Sequence, residues 1–171
     1  MKRLGLGLIA IILALTGCGY HTAGKGAALP PDLRTIAIPS FTNVTIAYRA
    51  EQVLTQAVVR EFISRTNYRI VPSPDGADAT LTGTVMSVQF SPLTYDSVTG
   101  RMSSGMITVV MQVALKDKSG KVLYQNSNYS FHQQYEVSRQ PTSFFQEASP
   151  ALDRLSRDFA QTLVSDILEN Y

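Results

Sequence analysis

The clearest pattern in this chain is the strict alternation between Met102 and Lys116, where Ile107, Val109, Met111, Val113 and Leu115 share one parity and Thr108 and Gln112 the other. Period two means a strand with one buried face. Asp117-Lys-Ser-Gly120 follows as a hairpin turn, and Lys121–Tyr135 returns antiparallel with Leu123, Tyr129 and Phe131 on one parity and His132 on the other. Upstream, Ala79–Phe90 is a further strand. Leu81, Gly83 and Val85 hold one phase and Val88 and Phe90 the opposite one, so a bulge is expected near Met86 and Ser87. Ser91–Arg101 reads as a loop that displays Leu93 and Tyr95, and Glu136–Thr142 as another.

Two stretches change to helical spacing. Val53, Leu54, Ala57, Val58 and Phe62 form one apolar stripe, which predicts a helix over Ile46–Thr66 with Thr45 as N-cap and Asn67 as stop. Arg60 and Arg65 read as a solvated face near its end. Leu152, Leu155, Phe159, Leu163 and Ile167 form the second stripe. That helix starts either at Ser143, which with Gln146 fits a capping box, or at Ser149-Pro150. Short strands at Leu33–Pro39 and Tyr68–Val71 flank the first helix, and Ser73–Asp78 is turn-rich. The resulting order predicts a two-layer α+β sandwich. Its mostly antiparallel sheet has four to five strands, and two amphipathic helices cover one face.

Before all this comes a different pattern. Lys2 and Arg3 precede an uncharged run, Leu4–Leu15, too short at about 1.5 Å per residue to cross a hydrocarbon core of roughly 30 Å. Basic start, apolar run and small residues in that order are a secretory signal. The run ends in Leu15-Thr-Gly-Cys18, which resembles the lipobox of bacterial lipoproteins, where the cysteine sulfur takes a diacylglycerol and the preceding bond is cut. Cys18 is thus the expected lipidation site, carrying palmitate-type chains into the membrane, and multiple acyl chains make a stable anchor. Gly19 stands where an Asp often marks inner-membrane retention, so the outer membrane is expected. The division is a signal peptide at 1–17, a lipidated N-terminus and linker at 18–31, and one α+β domain at 32–171.

Charge then narrows the function. The chain has 15 basic and 13 acidic residues, and losing Lys2 and Arg3 with the signal leaves 13 of each. A neutral domain is not a general nucleic-acid binder. Once Cys18 is acylated no thiol remains for a disulfide or a nucleophile. His21 falls in the linker without a second ligand beside it. His132 has no nucleophile elbow to serve, and no phosphate loop, dinucleotide fingerprint or zinc-protease motif is present. No cofactor, no metal and no enzymatic activity are expected.

Four stretches carry a family resemblance: Cys18-Gly-Tyr-His21, Leu33-Arg-Thr-Ile-Ala-Ile-Pro-Ser-Phe-Thr-Asn43, Tyr48-Arg-Ala-Glu51 and Tyr68-Arg-Ile-Val71. With them the chain resembles the LptE-like lipopolysaccharide-assembly lipoproteins. The resemblance implies a periplasmic-side domain that plugs an outer-membrane β-barrel of the lipopolysaccharide-export type. It would assist that barrel's assembly and bind lipopolysaccharide on its way to the outer leaflet. Gln125–Asn128 is a polar strand stretch that suits a water-filled lumen wall or plain solvent. Lipopolysaccharide carries phosphates, so Arg101, Lys116, Lys118 and Lys121 are its candidate contacts, each of which equally suits a solvated turn. Leu93 and Tyr95 are candidates for the barrel or an acyl chain. The alternative is a pilotin or secretion-accessory lipoprotein for another outer-membrane channel. A hydrolase built on His132 is the third reading.

Overall fold

The computed structural model describes residues 29–136 and 144–169, with side chains in the last helix from Pro150 onward. The signal, Cys18, His21, the Glu136–Thr142 loop beyond Glu136 itself and Ser143 lie outside the described residues. Six strands and two helices follow in the order β1 (Thr35–Ala37), β2 (Thr42–Asn43), α1 (Ala50–Arg65), β3 (Arg69–Val71), β4 (Ala79–Tyr95), β5 (Met102–Asp117), β6 (Val122–Glu136) and α2 (Phe144–Glu169). They form one α+β unit with a single sheet, ordered β3-β1-β4-β5-β6, with β2 also on β4.

The sheet is mixed rather than antiparallel throughout. β4, β5 and β6 are antiparallel neighbours. β1 runs parallel to both β3 and β4, and β2 runs parallel to β4. The chain is carried back along the sheet twice, by α1 between β2 and β3 and by residues 72–78 between β3 and β4, so β3 and β4 each start from the same end as β1.

The alternation of β5 is realised as expected: Ile107, Val109, Met111, Val113 and Leu115 are all buried. So is the phase change in β4, where the register slips between Val85 and Ser87. β4 continues to Tyr95, so Ser91–Tyr95 is strand and only residues 96–101 turn. Pro92 is tolerated there because β1 and β2 pair with β4 no further than Val85, which leaves that stretch an edge lacking only one N–H. Asp96 closes the turn, its Oδ1 accepting from the N–H groups of Val98 and Thr99.

α1 starts at Ala50, four residues later than its stripe suggests. Thr45 is not the N-cap: its hydroxyl accepts the N–H of Ala47, and its own N–H and hydroxyl donate to Asn43 Oδ1. Asn43 Nδ2 donates to Ala47 O and to Glu51 Oε2. The loop is thereby folded on itself, and Arg49 precedes the helix at φ 57, without a side-chain cap. The other end behaves as expected, Thr66 returning both N–H and hydroxyl to Phe62 O.

α2 begins at the residue after Ser143 and runs through Pro150. Both helices lie on one face. Leu54, Val58 and Phe62 of α1 and Leu155, Phe159, Leu163 and Ile167 of α2 join the buried sheet residues in one cluster that also takes in Leu29 and Leu33. Arg65 is exposed, as expected, and also links the helices through Ser165 Oγ at 2.7 Å and pairs with Glu61 at 3.5 Å. Against β6, Phe159 meets Tyr129 and Phe131 edge-on at 6.0 and 5.1 Å, while those two rings stack at 5.1 Å. Among the described residues, no helix is long and apolar enough to cross a membrane.

Candidate functional site

The segment that joins β1 to α1 is built around Phe41 and Asn43. Phe41 is buried and its ring lies flat on Gly83 of β4, where an added Cβ would sit 2.9 Å from Cδ1 and Cγ. Its N–H donates to Thr55 Oγ1 at 3.0 Å, and that hydroxyl donates on to Glu51 O at 2.6 Å. Thr55 therefore occupies a buried position of α1 with both hydrogen-bonding roles used. Asn43 then folds the loop as described. The Ile-Ala-Ile-Pro-Ser-Phe-Thr-Asn stretch thus sets strand, ring and loop against α1 and β4 in one piece.

The sheet face away from the helices is uncovered by any described residue. Thr82, Gln112 and Gln125 are exposed there, as is His132 opposite Thr108. A shallow depression of about 140 Å³ crosses β4, β5 and β6, with Thr82, Thr84, Gln112, Gln125, Asn126 and Ser127 among its lining residues. None of its lining residues is ionisable, so it can offer hydrogen bonds and no fixed charge. Asn126 and Ser127 lie where β6 slips register between its pairings with Met111 and Val113.

The four candidate cations do not share a site. Lys116, Lys118 and Lys121 surround the β5–β6 turn, whereas Arg101 lies at the β4–β5 turn, separated by the length of β5, which is 16 residues or roughly 50 Å. Acidic groups share the lysine end. Asp117 Oδ1 accepts from Ser119 Oγ at 2.6 Å and from the N–H groups of Ser119 and Lys121. The Ser119 hydroxyl, chiefly, holds its carboxyl below the usual value. Asp78 Oδ2 accepts the N–H groups of Arg34 and Thr35, each at 2.9 Å. Those two amides hold it low, with the positive charge of Lys118 and Arg34 helping. Both carboxylates tie strand ends together, and the lysines beside them are partly balanced. Leu93 and Tyr95 are exposed on the far part of β4.

One titratable cluster has no simple sequence signal. Tyr129 donates to Asp166 Oδ2, and Tyr124 lies 3.0 Å from Tyr129 Oη and 3.4 Å from the same carboxylate. Burial pushes Asp166 above its ordinary value. Burial and the neighbouring carboxylate push Tyr124 up to about 12. The helix spacing alone places Asp166 beside Ile167 and gives no sign that α2 turns it onto β6. Among the described residues there is no group of three His, Asp or Glu side chains arranged to hold a metal.

Residues 33–167 match the family model described as LptE, lipopolysaccharide-assembly. No curated protein sequence matches the chain. Among solved structures, the fold is similar to uncharacterized lipoprotein B from Nitrosomonas europaea, at 12% identity over 88% of this chain and 90% of that one, TM-score 0.54. A Xanthomonas campestris protein of the DUF330 family matches at 13% identity over 82% and 90%, TM-score 0.54. PelC from Paraburkholderia phytofirmans, there a dodecamer, matches at 17% identity over 86% and 96%, TM-score 0.50. These likenesses concern the fold.

Proposed function

The chain belongs to the LptE family of lipopolysaccharide-assembly proteins, and from that premise we propose that it is an outer-membrane lipoprotein, anchored through Cys18, that plugs a β-barrel partner and helps deliver lipopolysaccharide to the outer leaflet. The observation that carries the reading is the extent of the family match, from the first strand into the last turn of α2. The mature protein in this reading is the lipidated stretch 18–31 followed by the domain 32–171, with its domain on the periplasmic side or inside the barrel.

The open sheet face supports the plug. A polar, mostly uncharged surface exchanges hydrogen bonds with a wet lumen wall as readily as with water, and carries little charge that would have to be desolvated. Lipopolysaccharide phosphates would be met at the two ends of the hairpin separately, by the lysine turn or by Arg101. No catalytic step is proposed.

Affinity capture of the acylated protein from detergent-solubilised outer membranes, with bound proteins identified by mass spectrometry, tests the reading. A large lipopolysaccharide-export barrel in equal proportion is the expected result. Recovery of a secretin would replace the plug with the pilotin alternative, and recovery of no barrel would remove both. For the ligand, binding of lipopolysaccharide should weaken in a Lys116/Lys118/Lys121 triple glutamine variant or in Arg101→Gln. Unchanged binding in both would remove the cationic contacts from the proposal.

A further inference from the structure

The loop between β2 and α1 presents its apolar side chains outward. Val44 is 61% exposed, Tyr48 81%, and Ile46 fully. This is not slack chain. Asn43 and Thr45 hold the loop through the hydrogen bonds described above, and Arg49 is kept at positive φ, a conformation a non-glycine residue holds only against a cost. Val44 also donates its N–H to Val85 O, one residue from the half-exposed Met86 of the bulge. Arg49 lays its guanidinium 4.9 Å from the Tyr48 ring centre. A rigid loop with branched apolar tips, a tyrosine and an adjoining arginine has the make-up of a membrane–water interface: apolar groups for the acyl boundary, Tyr at headgroup depth, Arg for phosphate.

The tether decides between this loop and the other exposed apolar group, at the far end of β4. If Cys18 is acylated, residues 19–28 are all that separates the leaflet from Leu29, which is packed into the core. Even drawn straight, that stretch spans no more than about 40 Å. The chain enters the sheet at Thr35, beside Asp78, at the β4 start. Asn43 pairs with Val85, about 20 Å along β4 from there, while the Asp96 turn is roughly 55 Å away. Of the two groups, the loop is the nearer to the point where the tether enters the sheet.

We propose that Val44, Ile46 and Tyr48 insert into the periplasmic leaflet beside the acyl anchor, with Arg49 against lipid phosphate, and so fix the domain's tilt on the membrane. This rests on the Cys18 anchor. Cys18 is also the only cysteine, so in the acylated Ile46→Cys protein the new thiol alone accepts an environment-sensitive fluorophore. Reconstituted in vesicles of phosphatidylethanolamine and phosphatidylglycerol, that probe is expected to shift to the blue and to be quenched by lipid spin-labelled on the acyl chain. The same probe at Val98 should emit as in water. Intact-mass measurement of the same sample reports the acyl chains, so a failed anchor is seen independently and withdraws the proposal's premise. With the acyl mass present, a water-like Ile46 probe overturns the proposal. A probe that becomes shielded only when outer-membrane proteins are added overturns it too, in favour of a protein partner.

Discussion

Replacing Gly83 by alanine sets two effects against each other. Alanine in a strand interior gains roughly 0.5–1 kcal/mol over glycine, because the unfolded chain has less freedom to lose. Here the new methyl meets the Phe41 ring at 2.9 Å. That ring cannot swing aside, since Phe41 is 4% exposed and its N–H is held by Thr55 Oγ1. Overpacking of this kind costs about 1–3 kcal/mol, so the clash outweighs the gain and Gly83→Ala is expected to lose on the order of 1–2 kcal/mol. Phe41→Ala should lose about 3–5 kcal/mol through its cavity. In the double variant the Gly83 methyl enters the space the ring has left. The two losses then fail to add, by about 1–2 kcal/mol, as expected of residues in direct contact. Urea unfolding followed by far-ultraviolet circular dichroism on all four proteins closes the cycle. A neutral or stabilising Gly83→Ala, or strict additivity, would refute the packing of this ring as the element that sets β2 on β4.

Thr55→Val keeps the shape but strands the Phe41 N–H and should cost about 1–3 kcal/mol, read in the same unfolding assay; an unchanged midpoint would mean water satisfies that amide. Asn43→Ala should cost a similar amount, about 1–3 kcal/mol, and speed amide hydrogen exchange at Thr45 and Ala47, whereas unchanged exchange would show that the loop does not depend on this side chain. Asp166 titrates above its ordinary 3.8 because burial disfavours its charge. Its contribution is therefore full below that value and lost as pH rises through the raised one. Relative to Asp166→Asn, the wild type should lose stability across that window, and a pH-independent gap between the two would refute it. Asp78 carries the opposite sign: held low by the Arg34 and Thr35 amides, it supports the fold above 3.8 and ceases to as pH falls through its depressed value. Asp78→Asn should cost less in acid than at neutral pH.

Where one physical effect governed a stretch, the sequence was a sufficient guide. The phase change between Val85 and Val88 could only be a bulge if both sides were buried strands, and the parity of β5 left no other face for the core. The helix start failed because Thr45 is a good N-cap in isolation. Its hydroxyl was claimed by the turn that Asn43 organises, a contact whose partner Glu51 lies eight residues on. The reach of β4 past Phe90 failed for a similar reason. Pro92 argues against a strand unless its unpaired side is known to be an edge, and that is a fact about where β2 stops. The parallel pairing of the first strands depends on α1 crossing back, which local pattern does not report. For the candidate contacts, residue type alone named Arg101 and the three lysines, but only the strand lengths reveal that they occupy opposite ends. The Asp166 cluster was invisible because no spacing rule links Tyr124, Tyr129 and a helix residue far along the chain.

The last strand of the sheet has a consequence of its own. β6 is 15 residues long and terminates the strand order, so one whole row of its backbone groups has no described neighbour. Native proteins normally guard such a margin with lysine, proline or a short strand. Between Val122 and Tyr135 there is no acidic residue, lysine, arginine or proline, only Leu123, amides, hydroxyls, aromatics and one histidine. The far part of β4 is guarded, by Pro92 and the bulge; β6 has only its register slips. Separated from whatever it works against, the domain is primed for sheet extension from this side. Storage at high concentration should convert it into edge-joined aggregates that a single lysine midway along β6 would suppress.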